Sequence, residues 1–448
     1  MRETKRQMNL HSFYDHTGIE AHLRRMAEKG WLLCEIGQFF WHYRRIEPKT
    51  LTFSVCYFPK ATIYDPGPSK QQEEFYDLCA HVGWTLAGSS GQLQVFYNEG
   101  ENPVPIDTDP TLEVDAIHRS AKKSFLLSNC LLGAVGLLNV GQFLFRLRSD
   151  PIRTLSNAAV LVSVLAFTLV LLNCGVELAS YFLWRRRALK AAARGEFLPT
   201  RNHLWLQWLL LAIILPAAVW GAACLFGDGL GGVTAASLIG TVLLLAAVLG
   251  IRDALKKKNA SAETNRAATM FACVALSILF AVVVPRFAVS ALNSRPDPVP
   301  EDLPLTVGEL LAVNFTYGQS MEYLHSPLLA HLSARQYSWR WEEMDDAPEL
   351  SYGVTVVKAP FLYGVCKNHL LGWREYLSSV WLRREGTEPI DPAPWGAQEA
   401  YRTVNKYGNP RDEYVLCYPD RVVEVALDWT PTPEQMAVIG EKLGRGPL

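Results

Sequence analysis

The chain has almost no net charge: 43 Lys and Arg stand against 44 Asp and Glu, a formal balance of −1. Without a positive field there is no general attraction to a polyanion, so direct nucleic-acid binding is not expected. The 9 cysteines include no CxxC pair. Structural zinc sites draw on clustered thiolates and imidazoles, so neither a metal nor another cofactor is expected. Catalytic signatures are missing too. Ser320, Ser326 and His369 lack the setting of a nucleophile elbow. His325 and His331 are spaced off a common helix face, and Glu342, Glu343, Asp345 and Asp346 lack calcium-loop glycine spacing. The expectation is a protein that is not an enzyme. Met1–Leu10 is polar and basic, so no signal peptide is expected, and the first apolar span must direct insertion itself.

What is abundant is apolar sequence, and it is concentrated between Ser124 and Val289. Crossing a bilayer takes about 20 apolar residues. Five segments come close to that: Phe125–Phe145, Ala158–Trp184, Leu204–Phe226, Val233–Ile251 and Ala267–Val289. Soluble helices carry a polar stripe, and these carry almost none. The reading is an all-α transmembrane bundle of about five helices, with the lipid bilayer as first partner. Arg119, Lys122 and Lys123, then Arg185–Arg187, Lys190, Arg194 and Arg201, then Arg252, Lys256–Lys258 and Arg266 fall on one side if the spans alternate. By the positive-inside rule that side is cytoplasmic, although Arg146, Arg148 and Arg153 count against it. The expectation is a multi-pass protein of the cell membrane, N-terminus cytoplasmic and C-terminal region extracytoplasmic.

Glu177 is the one acid inside these segments. An ionisable group in a membrane is a candidate functional residue, and Asn173 accompanies it on the same segment. Because Arg185–Arg187 follow two turns later, Glu177 is expected to reach toward that basic edge. Pro216 predicts a kink in the third span. Gly133, Gly136 and Gly141 predict close helix packing in the first.

Residues 1–118 contain a repeat. Met26-Ala-Glu-Lys-Gly30-Trp31-Leu32 leads to Gly37-Gln-Phe-Phe-Trp-His-Tyr43, and Cys79-Ala-His-Val-Gly83-Trp84-Thr-Leu86 leads to Gly91-Gln-Leu-Gln-Val-Phe-Tyr97. Helices are predicted over Ile19–Glu28 and Lys70–His81, the second burying Phe75, Leu78 and Cys79. Phe39–Arg45 and Thr50–Tyr57 alternate like a β-pair. The order implies a small α+β domain, ferredoxin-like, with two helices on one face of a sheet. Trp31 and Trp84 are candidate ligand-pocket residues or, more plainly, core; Arg2, Lys5 and Arg6 read as a solvated end.

The helix with Met26-Ala-Glu-Lys-Gly30-Trp31-Leu32, the aromatic strands and the later Gly83-Trp84 resemble a bacterial family known as domain of unknown function 2812. The resemblance covers about the first 100 residues. It implies a soluble domain joined to membrane helices, and no catalytic residue. Genes of that family often neighbour a PadR-like transcriptional regulator, which implies a cytoplasmic regulator as partner.

Residues 293–304 read as a proline-rich spacer. Residues 305–448 read as an extracytoplasmic α+β domain rich in Tyr and Trp, suited to an unidentified outer ligand. Thr306 with Glu309 and Thr432 with Pro433 and Gln435 predict helix starts. Leu350–Lys358 predicts a strand, Phe361–Leu382 one or two helices, and Glu413–Tyr418 with Arg421–Asp428 a hairpin. Cys366 and Cys417 are a candidate disulfide or a pair of buried thiols. The whole predicts a membrane-spanning sensor or signal-coupling protein. The alternative is a transporter component using Asn173, Glu177 and Pro216.

Overall fold

Two passages of the chain fold along the same path. The computed structural model describes residues 3–37, 40–200, 204–225, 231–293, 302–313, 317–338, 347–377 and 380–446. The first passage is β1 (Thr4–Met8), α1 (His16–Glu28), β2 (Trp31–Ile36) and β3 (Phe40–Arg45), closing an antiparallel sheet in the order β1-β3-β2. The second is β4 (Thr52–Tyr57), α2 (Lys70–His81), β5 (Thr85–Ser90) and β6 (Leu93–Asn98), closing a sheet in the order β4-β6-β5. Each helix gives way to its strand through a glycine in the left-handed region, Gly30 at φ +79° and Gly83 at φ +87°. A side chain there would be strained, which is why the repeat keeps glycine at both places.

The expected β-pair of Phe39–Arg45 with Thr50–Tyr57 does not form. β3 lies between β1 and β2, and β4 pairs with β6; Phe39 lies outside the described residues. Two three-stranded sheets therefore stand where one ferredoxin-like sheet was expected. Alternation marks a strand but not its partner, and the polar Lys5-Arg6 start hid the third strand of the first sheet. In α2, Cys79 is buried and Phe75 partly so, but Leu78 is 65% exposed. Gln72 takes the inward place, its side chain closing a capping box with Ser69.

The middle of the chain is helical: α3 (Pro110–Lys123), α4 (Phe125–Ser149), α5 (Pro151–Ser156), α6 (Ala158–Ala192), α7 (Leu204–Leu225), α8 (Gly231–Lys257) and α9 (Ala262–Asn293). The five apolar segments fall on α4, α6, α7, α8 and α9, except Phe226, which lies outside the described residues. Among the described residues, the stretch Pro110–Ser149 and the helix Ala158–Ala192 are long and apolar enough to cross a membrane. At Gly136 a Cβ would come within 3.2 Å of the Phe167 carbonyl oxygen and of Leu171 Cβ, so glycine lets α4 and α6 approach. Gly141 faces open space.

The chain divides into two units. One gathers Met1–Leu138, Ala166–Val219 and Phe226–Val289; the other gathers Asn139–Leu165, Trp220–Leu225 and Ser290–Leu448. The first holds a core of Leu23, Leu33, Tyr43, Phe53 and Val95 that continues without interruption into Ile117, Phe125, Tyr181, Trp184 and Ala188.

The second unit is built on α10 (Val307–Leu310), β7 (Tyr317–His325), β8 (Leu329–Ser338), β9 (Leu350–Val357), α11 (Tyr363–Gly372), β10 (Trp373–Leu377), β11 (Val380–Arg383), β12 (Gly386–Ile390), β13 (Glu399–Val404), β14 (Pro410–Cys417), β15 (Arg421–Leu427) and α12 (Pro433–Gly444). Seven strands form one antiparallel sheet in the order β12-β13-β14-β15-β9-β8-β7. One face buries Leu332, Val354, Leu416 and Val423 under Ile439 and Leu443 of α12. The other buries Leu329, Val357, Val415 and Val422 against Cys366 and Leu370 of α11 and against Ile152 and Leu155 of α5.

The predicted β14–β15 hairpin and the Thr432-capped α12 are in place. Phe361–Leu382 is not helical throughout. The helix stops at Gly372, and β10 and β11 form a hairpin in its place, where aromatic and β-branched residues favour extended chain. Most of the proline-rich spacer, residues 294–301, lies outside the described residues, as do Trp339, Trp341 and Glu342–Asp346.

Candidate functional site

Glu177 of α6 does not turn to Arg185–Arg187. Its Oε1 accepts from Ser12 Oγ at 2.8 Å and from Gln207 Nε2 of α7 at 2.9 Å, and its Oε2 accepts from Ser12 Oγ at 2.6 Å. A carboxylate on an apolar helix is costly unless donors surround it. Here the donors come from the N-terminal segment and from a second helix, so the acid is a tie point between them. Asn173 lies one turn earlier on α6 and is partly buried.

The ties extend along the segment from His11 to Thr17. The buried Tyr14 ring meets Phe125, Tyr181 and Trp184 at centroid distances of 5.7, 5.3 and 5.5 Å. Asp15 accepts from Thr200 Oγ1 at 2.6 Å and contacts His11 Nδ1 at 2.7 Å. Thr200 N donates to Thr17 Oγ1 at 2.9 Å. Tyr57 donates its hydroxyl to the Phe13 carbonyl at 2.6 Å, and His16 Nε2 lies 3.1 Å from Glu113 of α3. Sequence reading passed over this segment because seven mixed polar and aromatic residues have no periodicity; their density of side-chain donors and acceptors was the available signal.

Charge in this region is held at low dielectric. Burial raises Glu20 to about 7 against the opposing pull of His16, while its carboxylate accepts from Val55 N at 2.9 Å. Burial, then the Glu113 charge, raises Asp107. Burial, then Glu177, pushes the Tyr14 phenol well up, so it stays neutral.

The repeated tryptophans do not share a pocket. Trp31 is half-buried under the Arg45 guanidinium at 5.0 Å and the Lys5 ammonium at 5.8 Å. Trp84 is buried in a separate cluster with Cys56, Cys79 and Phe96, its Nε1 donating to the Val104 carbonyl at 2.8 Å.

In the second unit the polar residues gather around Arg384. Its guanidinium donates to Glu424 at 3.0 Å, to Glu413 at 3.2 Å and to Thr403, and its Nε donates to the Leu370 carbonyl at 2.8 Å. Gly353 makes room: a Cβ there would meet Glu424 Cγ and Oε1 at 3.2 Å. His331 Nδ1 sits 2.9 Å from Thr355 Oγ1. Burial, then His331, lowers His369 to about 4, which keeps it neutral. Cys366 and Cys417 are free thiols, both buried in one apolar cluster. A groove of about 1140 Å³ beside α12 is lined by Met321, Tyr323, Trp395, Lys442 and Arg445. Among the described residues, no group of three or more His, Cys, Asp or Glu is arranged to hold a metal.

Residues 15–129 match the family described as "Protein of unknown function (DUF2812)", a span running from α1 into the first turn of α4. That region is a domain of this family. No curated protein and no solved structure matches the chain.

Proposed function

We propose that the chain is a multi-pass membrane protein that couples an extracytoplasmic ligand- or partner-binding domain to a cytoplasmic DUF2812 domain, without catalysis. In this reading about five helices cross the bilayer, and the N-terminal domain engages a cytoplasmic regulator, the PadR-like class being the candidate. The observation that carries it is the placement of the α4–α5–α6 passage. Phe125 of α4 and Tyr181, Trp184 and Ala188 of α6 belong to the core of the DUF2812 domain. Ile152 and Leu155 of the connecting α5 belong to the core of the C-terminal sheet. In this reading a change in one core is passed to the other through α4 and α6, each of them unbroken in sequence over Phe125–Ser149 and Ala158–Ala192.

Arg153, which weighed against the orientation, has local partners in its own unit, Asp150 at 3.8 Å and Glu322 at 2.8 Å. It still counts toward its side, where the basic residues of the opposite loops outnumber it. For the carrier alternative, Glu177 is a poor vehicle, because Ser12 and Gln207 already occupy its oxygens.

The test is hydrogen exchange on the full chain in lipid nanodiscs with Ile152→Ala and Leu155→Ala. Coupling predicts faster exchange at α3 and at residues 177–190 of α6. If exchange rises only in the C-terminal sheet, the two domains are independent and the reading fails. Orientation is read at the exposed Cys34, which an impermeant maleimide should reach only after lysis.

A further inference from the structure

The solvent face of the first sheet has a composition that calls for a cover. Along β1, Thr4, Arg6 and Met8 face outward, and along β3 Phe40 and Arg44 do so, with His42 between them half-exposed. The register sets Met8 beside Phe40, Arg6 beside His42 and Thr4 beside Arg44. Met8 is 45% and Phe40 46% exposed. β1 is also the edge of its sheet, where exposed apolar side chains invite association. Glu35, the acid that the register sets beside His42 on this face, contacts His42 Nδ1 at 2.7 Å and is outnumbered by Arg6 and Arg44.

Chain length places this face near the helices. Ser12 follows Met8 by four positions, so their Cα atoms lie within about 14 Å. Ser12 Oγ is 2.6 Å from Glu177, whose other oxygen holds Gln207. Trp205 and Trp208, on either side of Gln207, are exposed on α7. Exposed tryptophans on an apolar helix mark the water–lipid interface. The apolar end of the patch is thus tied closely to that level, and its arginines follow within a few residues.

We infer that this face rests on the anionic headgroup surface of the bilayer, with Met8 and Phe40 in the interfacial layer and Arg6 and Arg44 on lipid phosphates. The inference rests on the membrane-spanning reading above. Basic residues near an anionic leaflet gain from its surface potential, and salt screens that gain. A covering bilayer would also remove the exposed β1 edge from solution.

The experiment compares the full chain in phosphatidylcholine nanodiscs with the chain in discs holding about 30% phosphatidylglycerol. Amide exchange is followed at residues 4–8 and 40–45, with α2 as the internal reference for folding. The expected result is exchange at least about tenfold slower in the anionic discs. Arg6→Glu with Arg44→Glu, or about 0.5 M salt, should restore the neutral-disc rate while α2 stays unchanged. Equal rates in both compositions overturn the inference: slow in both means a second copy covers the β1 edge, and fast in both means an open face. A chain that alkaline carbonate strips from membranes sinks the spanning reading itself, whereas a retained chain with equal rates sinks only the lipid contact.

Discussion

The N-terminal and C-terminal sheets solve the problem of a core in opposite ways. The N-terminal domain has two sheets of three strands each, too small to bury much by themselves. It completes its core with Phe125, Tyr181, Trp184 and Ala188 from the apolar helices. The C-terminal sheet has seven strands, with one face packed by α12 and the other by α11 and α5. The first domain therefore cannot change its helices without changing its core. The second packs one face with its own α12 and the other with its own α11 together with α5, from the passage between α4 and α6.

The largest way to break this comparison is Arg384→Met. Removing the cation takes from Glu413 and Glu424 their buried guanidinium partner, which costs about 3–5 kcal/mol. Exchange in β13–β15 should accelerate sharply while α1 keeps its wild-type rates; a matching loss in α1 would mean that the two cores melt as one. Next is Tyr14→Ala, which should cost about 3 kcal/mol through the lost aromatic packing. Its signature is loosening of α1 and of residues 177–190 together, with β14–β15 untouched.

Glu20→Gln sharpens the comparison with the opposite sign. Glu20 is raised from 4.5 to about 7, so the folded chain prefers it protonated. Its favourable contribution is complete below about pH 4 and is lost as pH climbs through 7, where the buried charge costs up to about 3 kcal/mol. The amide keeps an acceptor for Val55 N without the charge. The variant should melt higher than wild type at pH 8 and equally at pH 4, in thermal scans across that range. A constant offset at every pH would remove the role assigned to burial.

The sequence carried the elements better than their partners. Gly30-Trp31 and Gly83-Trp84 marked a repeat, and the repeat is structural to the level of sheet order. Helix ends written in local chemistry were legible, as with Lys70–His81 and the Thr432 cap. β1 was not, because Lys5 and Arg6 masked its alternation, and without it β3 was matched to the wrong strand. Trp373–Arg383 was misread because its strands are short and follow a real helix directly. Glu177 stood out as the one acid in the apolar segments, but its partners lie 165 and 30 residues away, and no local pattern points across such a separation.

The bond between Asp15 and Thr200 spans 185 residues of chain. A ribosome adding about 5–20 residues per second needs roughly ten to forty seconds to cover that interval. Throughout that time the His11–Thr17 segment is already made while its latch is not. Two apolar helices, α4 and α6, are synthesised within that interval. The His11–Thr17 segment is thus completed only after α4 and α6 have been made.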